Sequence, residues 1–173
     1  MAQPLMHDGK IDRAVLSAEL RRFLELVLEG TKLELAYEIR SGEPAADTEI
    51  ENPEVLVIFR GRDQELLLER NAELLKALEY IALRWVRLDP QHYDRVRFDS
   101  GDYRALRLEE LKLSARVAAE RVRETRQPFR FNPMPARERR VIHLILKEEP
   151  GVRTASEGAG DHRQVVVYPA EAK

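Results

Sequence analysis

Hydrophobic positions change period several times along the chain, and each change marks an element. Over residues 11–29, Leu16, Leu20, Phe23, Leu24, Val27 and Leu28 recur at helical spacing, with Gly30 placed to end the helix. Residues 32–40 alternate Leu33, Leu35, Tyr37 and Ile39 with polar positions, the period of a half-buried strand. A polar loop with Pro and Gly spans 41–53. The strand expected at 55–60 has a continuous apolar run, which predicts burial on both faces. A short helix over 63–70 and a longer one over 73–86 follow, the second with Leu74, Leu78, Ile81 and Trp85 on one stripe that is expected to face a core. Asp89-Pro90 stops it, and residues 94–99 read as a strand with Val96 and Phe98 inward and Arg95 and Arg97 outward. The first hundred residues therefore run α-β-β-α-α-β.

Ser100-Gly101-Asp102 breaks the chain. The longest helix, 103–126, carries Leu111, Ala115, Ala118 and Val122 on one face. A short strand at 129–131 precedes a helix over about 136–148, introduced by Pro133 and Pro135 and ended by Pro150-Gly151. Strands at 152–156 and 164–168 flank a loop at 157–163. The pattern is that of an α+β protein in two modules, about 12–100 and 101–170. No internal repeat or low-complexity segment is visible.

Composition narrows the chemistry. The 173 residues include no cysteine, which excludes disulfides, thiolate metal sites and a cysteine nucleophile and fits a reducing, cytoplasmic setting. Residues 1–10 lack an apolar run behind a basic start, so no secretory leader is expected. The longest aliphatic stretch, Val55 to Phe59, is far too short to cross a bilayer, and no membrane partner is expected. The net charge of −2 is unevenly shared: residues 112–173 hold 13 Lys and Arg against 8 Asp and Glu, the rest 16 against 23. A basic C-terminal part points to an anionic partner.

The basic positions there form a pattern. In Pro135-Ala136-Arg137-Glu138-Arg139-Arg140-Val141-Ile142-His143-Leu144-Ile145-Leu146-Lys147, the residues Val141, Ile142, Leu144, Ile145 and Leu146 make one broad apolar face, and Arg139, Arg140, His143 and Lys147 gather opposite. Guanidinium, imidazole and ammonium groups on one stripe suit phosphate oxygens. Taken alone, the same spacing also fits a solvated amphipathic helix with no ligand.

Arg139-x-x-x-His143, its Asn132-Pro133-Met134 lead-in ending in Glu138-Arg139-Arg140, and the tail Val152-x-Thr154-x-Ser156-x-Gly158 occur in the order of the single-stranded nucleic-acid-binding domain named for its Arg-three-residues-His motif, the R-three-H domain. The resemblance runs from about Tyr103 to Pro169. The chain is similar in particular to the bacterial Jag-type (SpoIIIJ-associated) proteins, in which a KH domain precedes that module, and α-β-β-α-α-β is the type II KH order. The resemblance implies binding of single-stranded RNA or DNA, RNA first of all, by Arg139, Arg140, His143 and Lys147. Arg153 is a further candidate, and the loop with Gly158, Gly160 and Arg163 is expected to close over the strand.

Two departures matter. KH domains clamp the backbone with a Gly-x-x-Gly loop, and Glu69-Arg70-Asn71-Ala72 stands at that place. Loss of both glycines and gain of an acid predict a KH-like fold with a degenerate loop. In the tail, Gly158-Ala159-Gly160 and Arg163-Gln164 replace the family's Gly-Glu-Gly and Arg-Arg. The alternative is therefore a protein-binding or dimerising scaffold acting through the KH-like part, with nucleic-acid binding reduced or lost.

Catalytic patterns are missing. His7, His92, His143 and His162 have no metal-ligand spacing, and neither a phosphate-binding loop nor a nucleophile elbow is present. A non-catalytic protein without metal or cofactor is expected. Phe129, Phe131 and Tyr168 could each stack a base, with core packing the expectation for Phe131 and Tyr168.

Overall fold

The computed structural model describes residues 5–7, 10–42 and 53–170. Most of the polar loop expected at 41–53 lies outside the described residues. The chain divides into two compact units, Met1–Arg104 and Ala105–Lys173. Helices and strands mix in both, giving the α+β class expected.

In the first unit, β1 (Met6–His7) and β2 (Lys10–Ile11) form a short antiparallel pair ahead of α1 (Arg13–Thr31). Asp12 caps α1 by accepting from the Ala14 and Val15 amides, two donors that have no partner inside the helix. Gly30 does not end this helix; Lys32 does, in a left-handed conformation at φ 57°. Next come β3 (Leu35–Ser41) and β4 (Val55–Gly61), then α2 (Gln64–Trp85) and β5 (Val96–Ser100). The sheet order is β3-β4-β5, with β4 antiparallel to β3 and parallel to β5. Val55, Val57 and Phe59 point into a core shared with Leu16, Leu20, Leu24, Val96 and Phe98, whereas Leu56 and Ile58 on the other face are only half-buried.

α2 is broken in the middle. Arg70, Asn71 and Ala72 take successive left-handed conformations at φ 49°, 61° and 57°, so its two halves are the two helices expected. After the β1–β2 pair, which the periodicity does not predict, the element order is α-β-β-α-α-β, as it does predict. The break also resets the helical phase. Ala72, Leu75, Ala82, Leu83 and Val86 reach the core, and the expected core stripe lies in solvent instead: Leu74 is exposed, and Ile81 and Trp85 are each 52% exposed. Only Leu78 of that stripe packs against the core. Trp85 keeps one ring neighbour, Phe23, at 5.8 Å between centroids.

Arg95 and Arg97 also depart from expectation. A 3-10 turn covers Pro90–Arg95, and neither guanidinium is solvated freely. Arg97 is 3% exposed and donates to the carbonyls of Tyr93 (2.5 Å) and Val96 (2.7 Å). Arg95 pairs with the buried Glu54, which Arg13 also reaches at 3.3 Å. Burying an arginine is tolerable only when such partners meet it. The two side chains therefore stiffen the unit and do not extend a basic surface.

The second unit is built on α3 (Tyr103–Thr125), whose Leu111, Ala115, Ala118 and Val122 are buried as expected. β6 (Phe129–Arg130), α4 (Ala136–Ile145), β7 (Val152–Glu157) and β8 (Gln164–Pro169) follow. β8 is central in the antiparallel order β6-β8-β7, and Val165, Val166 and Val167 are fully buried. β7 is an edge strand, and α4 lies beside it.

Candidate functional site

α4 is shorter than its sequence pattern, ending at Ile145 with Leu146 as cap. Val141, Ile142 and Leu146 are buried, while Leu144 and Ile145 are half-buried. An acid joins the buried face: Glu138, 8% exposed, accepts from Arg107 of α3 at 2.6 Å. Beyond the other end, Glu149 pairs with Arg123 of α3. Two ion pairs thus hold the α4 region to α3 and fix which side of it faces β7.

That side carries the Arg-x-x-x-His motif. His143 lies between two hydroxyls of β7, its Nδ1 at 2.7 Å from Thr154 Oγ1 and its Nε2 at 2.8 Å from Ser156 Oγ. Arg139 donates to Ser156 Oγ and to the Met134 carbonyl, each at 3.3 Å. Thr154 and Ser156 are two apart on a strand, so their side chains share a face, and α4 delivers Arg139 and His143 one turn apart to meet them. Burial, and then the Arg139 charge, lower the His143 pKa from its ordinary value, so the ring is neutral at pH 7. A neutral ring donates through one nitrogen and accepts through the other, and two hydroxyls serve both roles.

The motif is therefore half-buried and already hydrogen-bonded, not displayed on an open stripe. Sequence reasoning includes the two hydroxyls that fix it only as motif positions, without a role. The signal for them is the alternation of Thr154 and Ser156 along one strand face.

A groove of about 550 Å³ opens between α4 and β7. Arg139, Arg140, His143, Lys147 and Arg153 all line it, so five of the expected residues border it, from α4, the turn after it and β7. Arg140, Lys147 and Arg153 are exposed, and none of the three forms an ion pair with a described residue. The floor is apolar, from Leu144, Leu146 and Val152. Arg153 sits over the Tyr168 ring, 4.4 Å from its centroid. Tyr168 in turn donates its hydroxyl to Glu157, which also holds Arg130 at 3.0 Å. That hydrogen bond, with the one from Arg130, holds the Glu157 carboxyl below its ordinary pKa.

Gly158, Gly160 and Arg163 do not line the groove. They lie exposed in the connection between β7 and β8, which contains a 3-10 turn at Gly160–His162. Gly158 is at φ +86°, and a Cβ there would fall 2.6 Å from the His162 carbonyl oxygen, so this tight connection requires glycine. Of the aromatics, Phe131 is buried, and Phe129 packs on its edge at 5.1 Å beneath Arg121. Among the described residues no cluster of His, Asp and Glu could hold a metal ion, and no helix is long and apolar enough to cross a membrane.

In the first unit, the turn at Arg70, Asn71 and Ala72 is closed by Tyr103, whose hydroxyl donates to the Asn71 Oδ1 at 2.9 Å. Ala72 is fully buried. The turn keeps a left-handed path without any glycine.

The chain is similar to known proteins over this region. Residues 109–169 match the family model of the R-three-H domain. An RNA-binding protein KhpB of Clostridium symbiosum is 30% identical over 145 residues, covering 84% of this chain and 62% of that protein. The protein of the same name in Bacillus subtilis is 31% identical over 109 residues, covering 62% and 52%, and that of Streptococcus pneumoniae is 33% identical over 97 residues, covering 56% and 30%. The chain spans about half the length of the curated relatives it matches. Residues 109–169 thus match the R-three-H domain, and the similarity to the KhpB, or Jag-type, proteins extends over most of the chain.

Proposed function

We propose that the chain is a non-catalytic binder of single-stranded nucleic acid, in the first place RNA, and that the groove between α4 and β7 is its contact surface. One observation carries this reading: Arg140 and Lys147 converge on one groove of an R-three-H domain, with no carboxylate among the described residues in an ion pair with either. Unpaired cations there can exchange water and counterions for phosphate oxygens without first breaking an internal ion pair. Arg139 and His143 build the wall of the groove and touch the strand second. Gly158, Gly160 and Arg163 shape the β7–β8 connection beside it. The relatives' names, which state RNA binding, support RNA as the ligand and fit the expected cytoplasmic setting.

In this reading residues 12–100 are a KH-like domain whose turn no longer clamps a backbone, and 101–170 are the binding module. The test is fluorescence anisotropy of the full chain with a labelled single-stranded RNA. Replacing Arg140 and Lys147 together by Ala should weaken binding at every sequence tested. The log–log salt slope should flatten by about 0.7 for each lost phosphate contact. Unchanged affinity and slope would place the contact elsewhere.

A second reading has its own observation. Leu74, Ile81 and Trp85 form an exposed apolar stripe on the second half of α2. Apolar stripes of this kind commonly mark protein contacts, which favours a protein partner or a homodimer through the first unit. Sedimentation of the purified chain, compared with Trp85→Glu, tests it.

A further inference from the structure

The three-stranded sheet of the second unit has two unlike faces. Phe129 pairs with Val167, and Val167 with Thr154, so these three side chains stand on one face. α4 meets that face where His143 reaches Thr154, and α3 meets it where Arg121 lies 5.7 Å from the centroid of the Phe129 ring. Both helices therefore cover the same side. Neighbouring side chains alternate along a strand, so Arg130, Arg153 and Tyr168 stand on the opposite face, with Arg153 and Tyr168 paired across β7 and β8. Both arginines are exposed.

This open face offers a charge and a flat surface together. The Arg153 guanidinium lies over the Tyr168 ring, 4.4 Å from its centroid. Glu157, the carboxylate on the same face, is already engaged: it accepts from Arg130 at 3.0 Å and from the Tyr168 hydroxyl. Those bonds hold the ring, and the ring holds one side of the guanidinium. Stacking on the other side then costs little further side-chain entropy, and unstacked bases settle on guanidinium planes as they do on aromatic rings. β7 is the edge strand of the sheet, and residue 153 borders the α4–β7 groove while its guanidinium lies on the other face. It stands where a strand leaving the groove would pass round the edge.

We propose that a single-stranded nucleic acid leaving the groove passes round the edge of β7 and stacks one base on the Arg153 guanidinium, on the open face of the sheet. The groove takes phosphates, and the open face takes a base. The inference rests on the groove being the nucleic-acid site and goes beyond it, since phosphate contacts alone are blind to bases. Arg153 touches the base; Tyr168 is a positioning residue that holds the plane of Arg153.

The test measures the affinity of the full chain for two single-stranded ribonucleotide oligomers of equal length, one of uridylate and one of abasic ribose spacers. Both carry the same number of phosphates. Wild type should bind the base-bearing strand about five- to a hundredfold more tightly, given the usual strength of base stacking. Arg153→Lys keeps the charge and loses the plane, so the ratio between strands should fall toward one while the salt slope holds. Tyr168→Leu should lower the same ratio, and Tyr168→Phe, which keeps the ring, should preserve it. Arg140→Ala with Lys147→Ala should flatten the salt slope and leave the ratio as it is. A wild-type ratio near one overturns the stacked base while leaving the groove standing. A ratio preserved in Arg153→Lys overturns the assignment to the open face. Wild-type affinity and slope in the double variant overturn the groove reading and the path round β7 with it, as does the absence of binding to either strand.

Discussion

At His143 both ring nitrogens are already engaged, by Thr154 and Ser156, and this changes what the residue can do. An exposed imidazole would titrate near pH 6.5 and strengthen phosphate binding between about pH 8 and 6. Here the folded-state pKa is lowered by burial and by Arg139. The unfolded chain therefore binds the proton more readily than the folded one, and stability falls as pH falls. The His143 contribution should be fully present above about pH 6.5 and be lost as pH drops through the lower folded-state value. Urea titrations at pH 7.5 and 5.5 should show wild type losing more stability than His143→Gln. A second expectation concerns truncation. Removing Arg139 and His143 together leaves Ser156 and Thr154 with lost partners, so the Ala double variant should lose about 1–3 kcal/mol at pH 7.5. Exposed substitutions would stay within about ±0.5 kcal/mol, and a loss that small would show that the motif does not fasten α4 to β7.

At the scale of elements, two features store energy in opposite ways. The region of α4 is fastened to α3 through Arg107–Glu138 and Arg123–Glu149, and the first pair is largely buried. Removing Glu138 leaves Arg107 with the exposed Glu110 as its carboxylate partner, at 2.8 Å. Glu138→Ala should therefore cost about 1–3 kcal/mol, the loss of a charged hydrogen bond rather than of a whole pair, and Arg107→Met with Glu138→Met should recover most of it. A thermal-melt cycle of the four proteins measures this directly. The turn in α2 is the reverse case. Arg70, Asn71 and Ala72 hold left-handed conformations that side chains resist. Arg70→Gly should stabilise the chain by about 1 kcal/mol, because glycine removes the Cβ penalty at φ 49°. If the turn has no clamping role, RNA affinity should stay unchanged in Arg70→Gly and in Arg70→Ala. A loss matching that of the groove variants would show that the first unit still binds.

For the whole molecule, charge is divided as structure is. The basic excess lies in residues 112–173, within the unit that holds the groove. The fragment 103–173 should bind a single-stranded RNA once circular dichroism shows that it folds. The fragment 1–99 should not bind at the same salt concentration. Binding by the N-terminal fragment alone would reverse the placement of function. The exposed Ile81 and Trp85 belong to that first unit, so its removal should also abolish any self-association.

Periodicity alone determined the element order, the α+β class and the identity of most core positions, because burial on one face repeats with the period of the element that makes it. Leu16, Leu20, Val57, Phe98 and Val122 are buried where their spacing puts them. The ordered motif from Asn132 to Gly158 was legible too, since it is a run of residue types. Tertiary structure decided the rest. Three left-handed residues turned the second half of α2 and sent Trp85 outward, and no local pattern announces a change of phase. Glu138 and Arg97 became buried because partners distant in the chain, Arg107 and Glu79, arrived beside them. His143 became a fastened, neutral side chain because β7 brought Thr154 and Ser156 within 3 Å. Sequence sets which groups a face can offer; only packing across elements sets which of them are already engaged with one another and which, like Arg140 and Lys147, stay exposed.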